Sequence, residues 1–144
     1  MAFNLDLGAQ IDAWAKQTEA RMLAVYKGSV QEFVSRAQRR IPVDTGFARA
    51  SIRGSLEAMP LIDNISRAIP GQTYSADLSQ IILLINSAKI GQTIYIGWTA
   101  NYVPYLEWGH SNQAPNGFIG ITAIEWPEIV AAEIEKAKAS VASR

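Results

Sequence analysis

Between Leu5 and Arg40 the chain has no proline, and apolar or small residues return at Ile11, Trp14, Thr18, Met22, Val25 or Tyr26, Val30, Phe33, Ala37 and Ile41. Their mean spacing lies near the 3.6-residue period of an α-helix and away from the 3.5 of a heptad seam. The pattern predicts one helix over about residues 5–40, about 50 Å long. Its second half is apolar on more than one side, because Met22-Leu23, Val25-Tyr26 and Phe33-Val34 are adjacent pairs and neighbours on a helix point about 100° apart. One partner surface needs only one residue of each pair. The helix is therefore expected to pack on its own domain and on a second body, most economically another copy, with Met22, Tyr26 and Phe33 as candidate contacts. A helix clamped between two layers of its own chain is the alternative.

Pro42 ends this pattern, since proline cannot donate a backbone hydrogen bond and biases Ile41 away from the helical region. Beyond it, residues 51–58 read as a strand, with Ile52 and Leu56 on one face and Arg53, Ser55 and Glu57 on the other. Residues 59–76 form a long connection in which Pro60 and the spacing Ile62, Ile65, Ile69 predict a short helix stopped by Pro70-Gly71. The continuous run Ile81–Ile85 predicts a strand covered on both faces. Ile94, Ile96 and Trp98 alternate with Tyr95 and Gly97 as a second strand, joined to the first as an antiparallel hairpin through Asn86–Gln92. An aromatic loop over 102–118 precedes a C-terminal helix over about 119–141, which Pro127 either kinks or begins. The expected fold is one α+β domain over residues 1–144. It is a small antiparallel β-sheet, in the region of about 50–100, flanked by a long N-terminal helix and a C-terminal helix.

Composition narrows the function classes. The chain has 144 residues, 49% of them hydrophobic and 18% charged, and no cysteine. A thiolate metal site, a disulfide scaffold and a Cys nucleophile are excluded together. The first residues lack the basic-then-apolar order of a signal peptide, and no apolar run reaches membrane-spanning length, so a soluble protein made in a cytoplasm is expected. Net charge is zero, unlike a protein whose main work is coating nucleic acid. That zero hides two poles. Arg36, Arg39, Arg40, Arg49 and Arg53 face a single acid, Asp44, whereas Glu107 to Glu135 contains five glutamates and no Lys or Arg. The poles are either two solvated faces or complementary patches for head-to-tail contact between copies.

Candidate chemistry is sparse. His110 is the only histidine and has no companion ligands nearby in sequence, which makes it a polar loop residue. No phosphate-binding loop, nucleophile elbow or dinucleotide fingerprint occurs. Glu125 and Glu128 lie three apart, but glutamates at a helix start are ordinary complements to the helix dipole. No enzyme, cofactor or metal is expected. Pro42, Asp44, Thr45 and Gly46 instead suggest a structural corner. There the Asp44 carboxylate accepts from the N–H of Gly46 or Phe47, Gly46 takes a positive φ, and Phe47 to Ala50 make a helical turn. Arg49 and Arg53 would project from it.

Two segments carry a resemblance. Pro42-Val43-Asp44-Thr45-Gly46-Phe47-Ala48-Arg49-Ala50-Ser51 resembles the P-V-D-T-G-x-L-R-x-S signature of tailed-bacteriophage head–tail joining, neck or tail-completion proteins, with Ala48 where leucine is usual. Tyr102-Val103-Pro104-Tyr105-Leu106-Glu107-Trp108-Gly109 resembles that family's later Y-A-x-Y-V-E-x-G stretch, and Ala114-Pro115, Phe118 and a helical tail follow in the family's order. The resemblance spans roughly residues 10–140. It implies a non-catalytic virion protein of the neck or tail, present in the host cytoplasm during assembly. Such a protein forms a homo-oligomeric ring, a hexamer favoured, with other connector and tail proteins as partners and DNA passing through the channel without sequence-specific binding. Candidate subunit or channel contacts are then Arg36, Arg39, Arg40, Arg49, Arg53, Met22, Tyr26, Phe33, Tyr105, Glu107 and Trp108. The alternative from another class is a nucleic-acid-binding accessory protein using the Arg36–Arg53 segment.

Overall fold

A computed structural model describes residues 2–109 and 112–142. The fold is α+β, with a two-stranded antiparallel sheet between a long N-terminal helix and a C-terminal helix. Helix α1 runs unbroken from Ala2 to Arg40, 39 residues. Only Gly8 and Gly28 weaken it, and Arg39 and Arg40 in its last turn complement the negative end of its dipole. Pro42 follows at once, and the chain turns through α2, Phe47–Ala50, into β1, Ile52–Ser55.

Strand β1 is shorter than its sequence pattern because Ser55 Oγ accepts from the N–H groups of Glu57 and Ala58, diverting the backbone from the ladder. Its partner is β2, Tyr95–Trp98, in the register Ile52 opposite Trp98, Arg53 opposite Gly97, Gly54 opposite Ile96 and Ser55 opposite Tyr95. The expected hairpin between residues 81–85 and 94–98 does not form. Ser79–Ser87 is instead a helix, α3. Ile81 and Ile85 are buried, one turn apart, while Ile82 and Leu83 are exposed. An uninterrupted apolar run carries no period, so only its packing surface separates helix from strand. Asp77 fixes the start of α3 by accepting from the Ser79 N–H, which lowers the Asp77 pKa.

The short helix expected within residues 59–76 is also absent. Asp63 pairs with Ala100 as an isolated bridge, and its carboxylate accepts from the N–H groups of Ile65 and Ser66. These local bonds compete with a helical turn, and Ile65, exposed, has no core to face. The segment 102–118, expected as a loop, contains α4, Val103–Glu107. The C-terminal helical region divides into α5, Ile119–Ile124, and α6, Trp126–Ala142, with Pro127 in the first turn of α6.

The core gathers where the packed end of α1 meets α2, α3 and the sheet. It includes Val34, Ala37, Ile41, Ala48, Ile52, Ile81, Ile85, Trp98, Val103 and Phe118. Trp98 and Phe118 meet edge to face at 5.2 Å. Trp98 Nε1 donates to Gln38 Oε1 at 2.8 Å, and Gln38 Nε2 donates to the Arg49 carbonyl at 3.1 Å. The one large polar side chain in this region is thereby satisfied at both ends. Gly54 sits on β1 where a Cβ would fall 2.5 Å from Leu84 Cδ2, so α3 packs directly on the strand backbone.

Candidate assembly surface

The corner after α1 is built as expected in outline and differently in detail. Gly46 has φ 86°, and a Cβ there would lie 2.1 Å from the Tyr74 carbonyl oxygen. Glycine is required twice, for the left-handed backbone and for the close approach. Asp44, however, is exposed and does not cap α2. The Phe47 N–H is taken by Thr45 Oγ1 at 3.3 Å, and the Thr45 carbonyl accepts from the Tyr74 N–H at 2.7 Å. The hydroxyl nearer the turn displaces the carboxylate from the role predicted for it.

The two motif segments, more than fifty residues apart, form one joint. Phe47 stacks on Tyr102 with ring centroids at 6.4 Å and lies edge-on to Tyr74 at 5.2 Å. Gln113 grips the chain beside Pro42: its Oε1 accepts from the Val43 N–H at 2.8 Å and its Nε2 donates to the Val43 carbonyl at 3.0 Å. Glu107, expected as an outward contact, turns inward. Its carboxylate accepts from the N–H groups of Phe118, Ile119 and Gly120 at 2.7–3.0 Å, satisfying the free donors at the start of α5. Gly117, at φ 79°, allows that approach, since a Cβ there would meet the Glu107 carbonyl oxygen.

The charge poles meet within the chain. Arg40 and Arg36 converge on Glu125, with Arg40 Nη1 and Arg36 Nη1 at 2.9 and 3.0 Å from its Oε2. Arg40 Nη1 also donates to the buried Thr122 hydroxyl at 2.9 Å, and Arg36 Nε to Glu32 at 2.9 Å. The hydrogen bonds from Arg40 and then Arg36 lower the Glu125 carboxyl pKa to about 2, and the bonds that Arg36 donates to Glu32 and then Glu125 raise the pKa of its guanidinium. Arg39 is exposed, 3.8 Å from Glu32. Arg53 is exposed and donates to the carbonyls of Ala50 and Ile52, whereas Arg49 is half-buried with its Nε unpartnered. The Arg36–Arg53 segment is thus not a continuous positive face, because its first part is neutralised by α6 and the residue before it. The unequal distribution of Arg and Glu was the only trace of this pairing in the sequence. Nothing in the sequence marked Gln113 or the inward turn of Glu107.

The apolar surface is more extensive. Leu7, Ile11, Trp14 and Met22, at 51, 58, 65 and 61% exposure, follow one helical stripe along α1. Of the other predicted contacts, Tyr26 is half-buried and accepts from the Ile94 N–H at 3.2 Å, and Phe33 meets Trp126 edge-on at 6.3 Å. Tyr105 and Trp108 are exposed on α4 and just after it. Helix α6 runs antiparallel to α1 and lies along it from Phe33 back to about Gln17, leaving Leu7, Ile11 and Trp14 exposed. Along this seam lies an almost wholly apolar groove of about 690 Å³ bounded by Met22, Tyr26, Trp126, Val130, Ile134 and Val141.

Compared with known proteins, the chain matches no family model, no curated protein and no solved structure. Among the described residues there is no group of three acidic or histidine side chains arranged to hold a metal, and no helix long and apolar enough to cross a membrane. His110 lies outside the described residues.

Proposed function

We propose that the chain is a structural subunit of a phage or phage-like neck or tail connector, working as an oligomeric ring around the DNA channel and not as an enzyme. The observation that carries this reading is the uncovered apolar stripe of α1. Contiguous apolar surface of this kind along one helix face marks a protein-binding face. The joint formed by the two family-like segments supports it, because Phe47, Tyr102 and Gln113 hold the corner in place and Glu107 holds the start of α5. A ring needs one repeated contact between unlike patches, which a rigid corner and a projecting helix can present at fixed separation. DNA would pass through such a ring without sequence-specific contact.

Proteomics of purified particles, together with native mass spectrometry of the isolated chain, tests the reading. Stoichiometric presence in particles is expected, with a six-subunit assembly favoured. A chain absent from particles and monomeric throughout would overturn it.

A further inference from the structure

The α1–α6 groove and the arm that carries Leu7, Ile11 and Trp14 lie on one face of one helix. That face runs Leu7, Ile11, Trp14, Thr18, Met22, Val25 and Ser29, in steps of four, three and four residues taken twice. The last four border the groove. The spacing reads the same from either end, with Thr18 at its centre. It repeats every 11 residues, close to the period of a straight helix, so two such faces can lie together over their whole length. Its two polar members are already satisfied. Thr18 Oγ1 donates to the Trp14 carbonyl at 2.9 Å and Ser29 Oγ to the Val25 carbonyl at 2.7 Å. The face can therefore be covered without stranding a donor.

The two halves of the face differ in relief. Before Thr18 it is an exposed ridge, and after Thr18 it is one wall of the groove beside α6. An antiparallel pairing of two copies about Thr18 sets Ile11 of each over Val25 of the other and Trp14 over Met22, so each ridge fills the other's groove. A parallel pairing sets ridge on ridge and leaves both grooves empty. The available area suits a dimer. Leu7, Ile11, Trp14, Met22, Ile134 and Val141 are 39 to 65% exposed and together offer on the order of 600 Å² per copy, most of the roughly 800 Å² that each side of a stable interface covers.

We infer that the free chain forms a two-fold dimer through this face, α1 antiparallel to α1, with Thr18 on the axis and Trp14 as the anchor on each side of it. The contact is isologous and closes on two copies. It goes beyond the connector reading and does not rest on it: the dimer is the form of the chain outside the particle, and a ring that uses the same face requires the pair to part.

The absence of native cysteine allows a direct test on the full chain. Thr18→Cys, Ile11→Cys, Val25→Cys and, on the opposite side of the helix, Lys16→Cys are treated with a short bis-maleimide. Thr18→Cys is expected to link to itself. Ile11→Cys is expected to link to Val25→Cys when the two are mixed, but not to itself, and Lys16→Cys should link to none of them. Trp14 is exposed, so Trp14→Ala should leave monomer unfolding unchanged. It should weaken the dimer about a hundredfold by sedimentation equilibrium, tenfold for each of the two anchors lost. The inference is overturned by a free chain found only as monomers or as larger rings, or by Thr18→Cys linking no better than Lys16→Cys. Ile11→Cys linking to itself, or Trp14→Ala pairing like wild type, overturns it equally. Particles that contain a chain which does not pair when free leave the connector reading standing and this contact refuted. A dimer absent from particles does the reverse.

Discussion

The two halves of α1 share one period and one covalent helix, yet they do different work. From about Val25 to Arg40 the apolar stripe is core, with Val34, Ala37 and then Ile41 buried against the sheet and Phe118. From Leu7 to Met22 the same stripe faces solvent. Charged side chains divide in the same way. Arg36 and Arg40 are partly covered and converge on Glu125, whereas the Lys16–Asp12 pair of the arm is exposed and of the kind that contributes little. Periodicity therefore specifies that a helix will bury a face, but not whether the burying partner is in the same chain.

The sharpest way to break this contrast is to truncate the same residue type in each half. Ile41→Ala should destabilise the fold by about 2–5 kcal/mol, while Ile11→Ala should change monomer unfolding by less than about 0.5 kcal/mol, both read by chemical denaturation. If Ile11→Ala proved as costly, the arm would have an intramolecular partner. Next in size is the exit from the packed half. Gly46→Val places a β-branched side chain at φ 86° against the Tyr74 carbonyl and should cost about 2 kcal/mol or more. Asp44→Ala, two residues earlier, should cost less than about 0.5 kcal/mol, since Asp44 does not cap.

The ion cluster gives a pH test. Glu125 has its carboxyl lowered from 4.5 to about 2 in the fold, chiefly by hydrogen bonds from Arg40 and Arg36. Its stabilising contribution is thus complete above 4.5 and lost as pH falls toward about 2. Asp63, lowered from 3.8 to about 2 by its bonds to Ser66 and Ile65, loses its contribution in the lower part of that window. Thermal unfolding of Glu125→Gln should be less stable than wild type at neutral pH and decline less steeply on acidification. Parallel pH profiles for the two proteins would contradict the assignment.

The smallest effect separates the halves at their glycines. At Gly8 an added Cβ meets nothing within 4 Å, so Gly8→Ala should gain up to about 1 kcal/mol of helix propensity, seen as greater helicity by circular dichroism. At Gly28 the Cβ would lie 2.5 Å from Glu133 Oε2 on α6, so Gly28→Ala must push that side chain aside and should gain less.

Much of this was legible locally. The helix over residues 5–40, the stop at Pro42, the turn at Phe47–Ala50, the positive φ of Gly46 and the strand ending at Trp98 each rest on signals within a few residues. What escaped was long-range. The partner of Trp98 is Ile52 and not the nearby Ile81–Ile85 run, which is a helix with Ile81 and Ile85 in the core and Leu84 against Gly54 of β1. Thr45 and not Asp44 meets the Phe47 N–H because Oγ1 of Thr45 is the nearer acceptor in the folded turn. Of the outward residues, Met22, Tyr105 and Trp108 were identifiable as apolar positions left over from a helical stripe or a loop. Glu107 looked similar, but it serves an α5 that begins only after the chain has come back around.

The unbroken course of α1 also sets a phase. At about 1.5 Å and 100° per residue, one residue inserted between Trp14 and Met22 would swing Leu7, Ile11 and Trp14 roughly a quarter-turn away from the direction in which the groove opens. Seven inserted residues would nearly restore that direction while lengthening the arm by about 10 Å. Length added along this helix therefore keeps Leu7, Ile11 and Trp14 in line with Met22 only in near-whole turns, so the reach of this apolar face can change by steps and not by degrees.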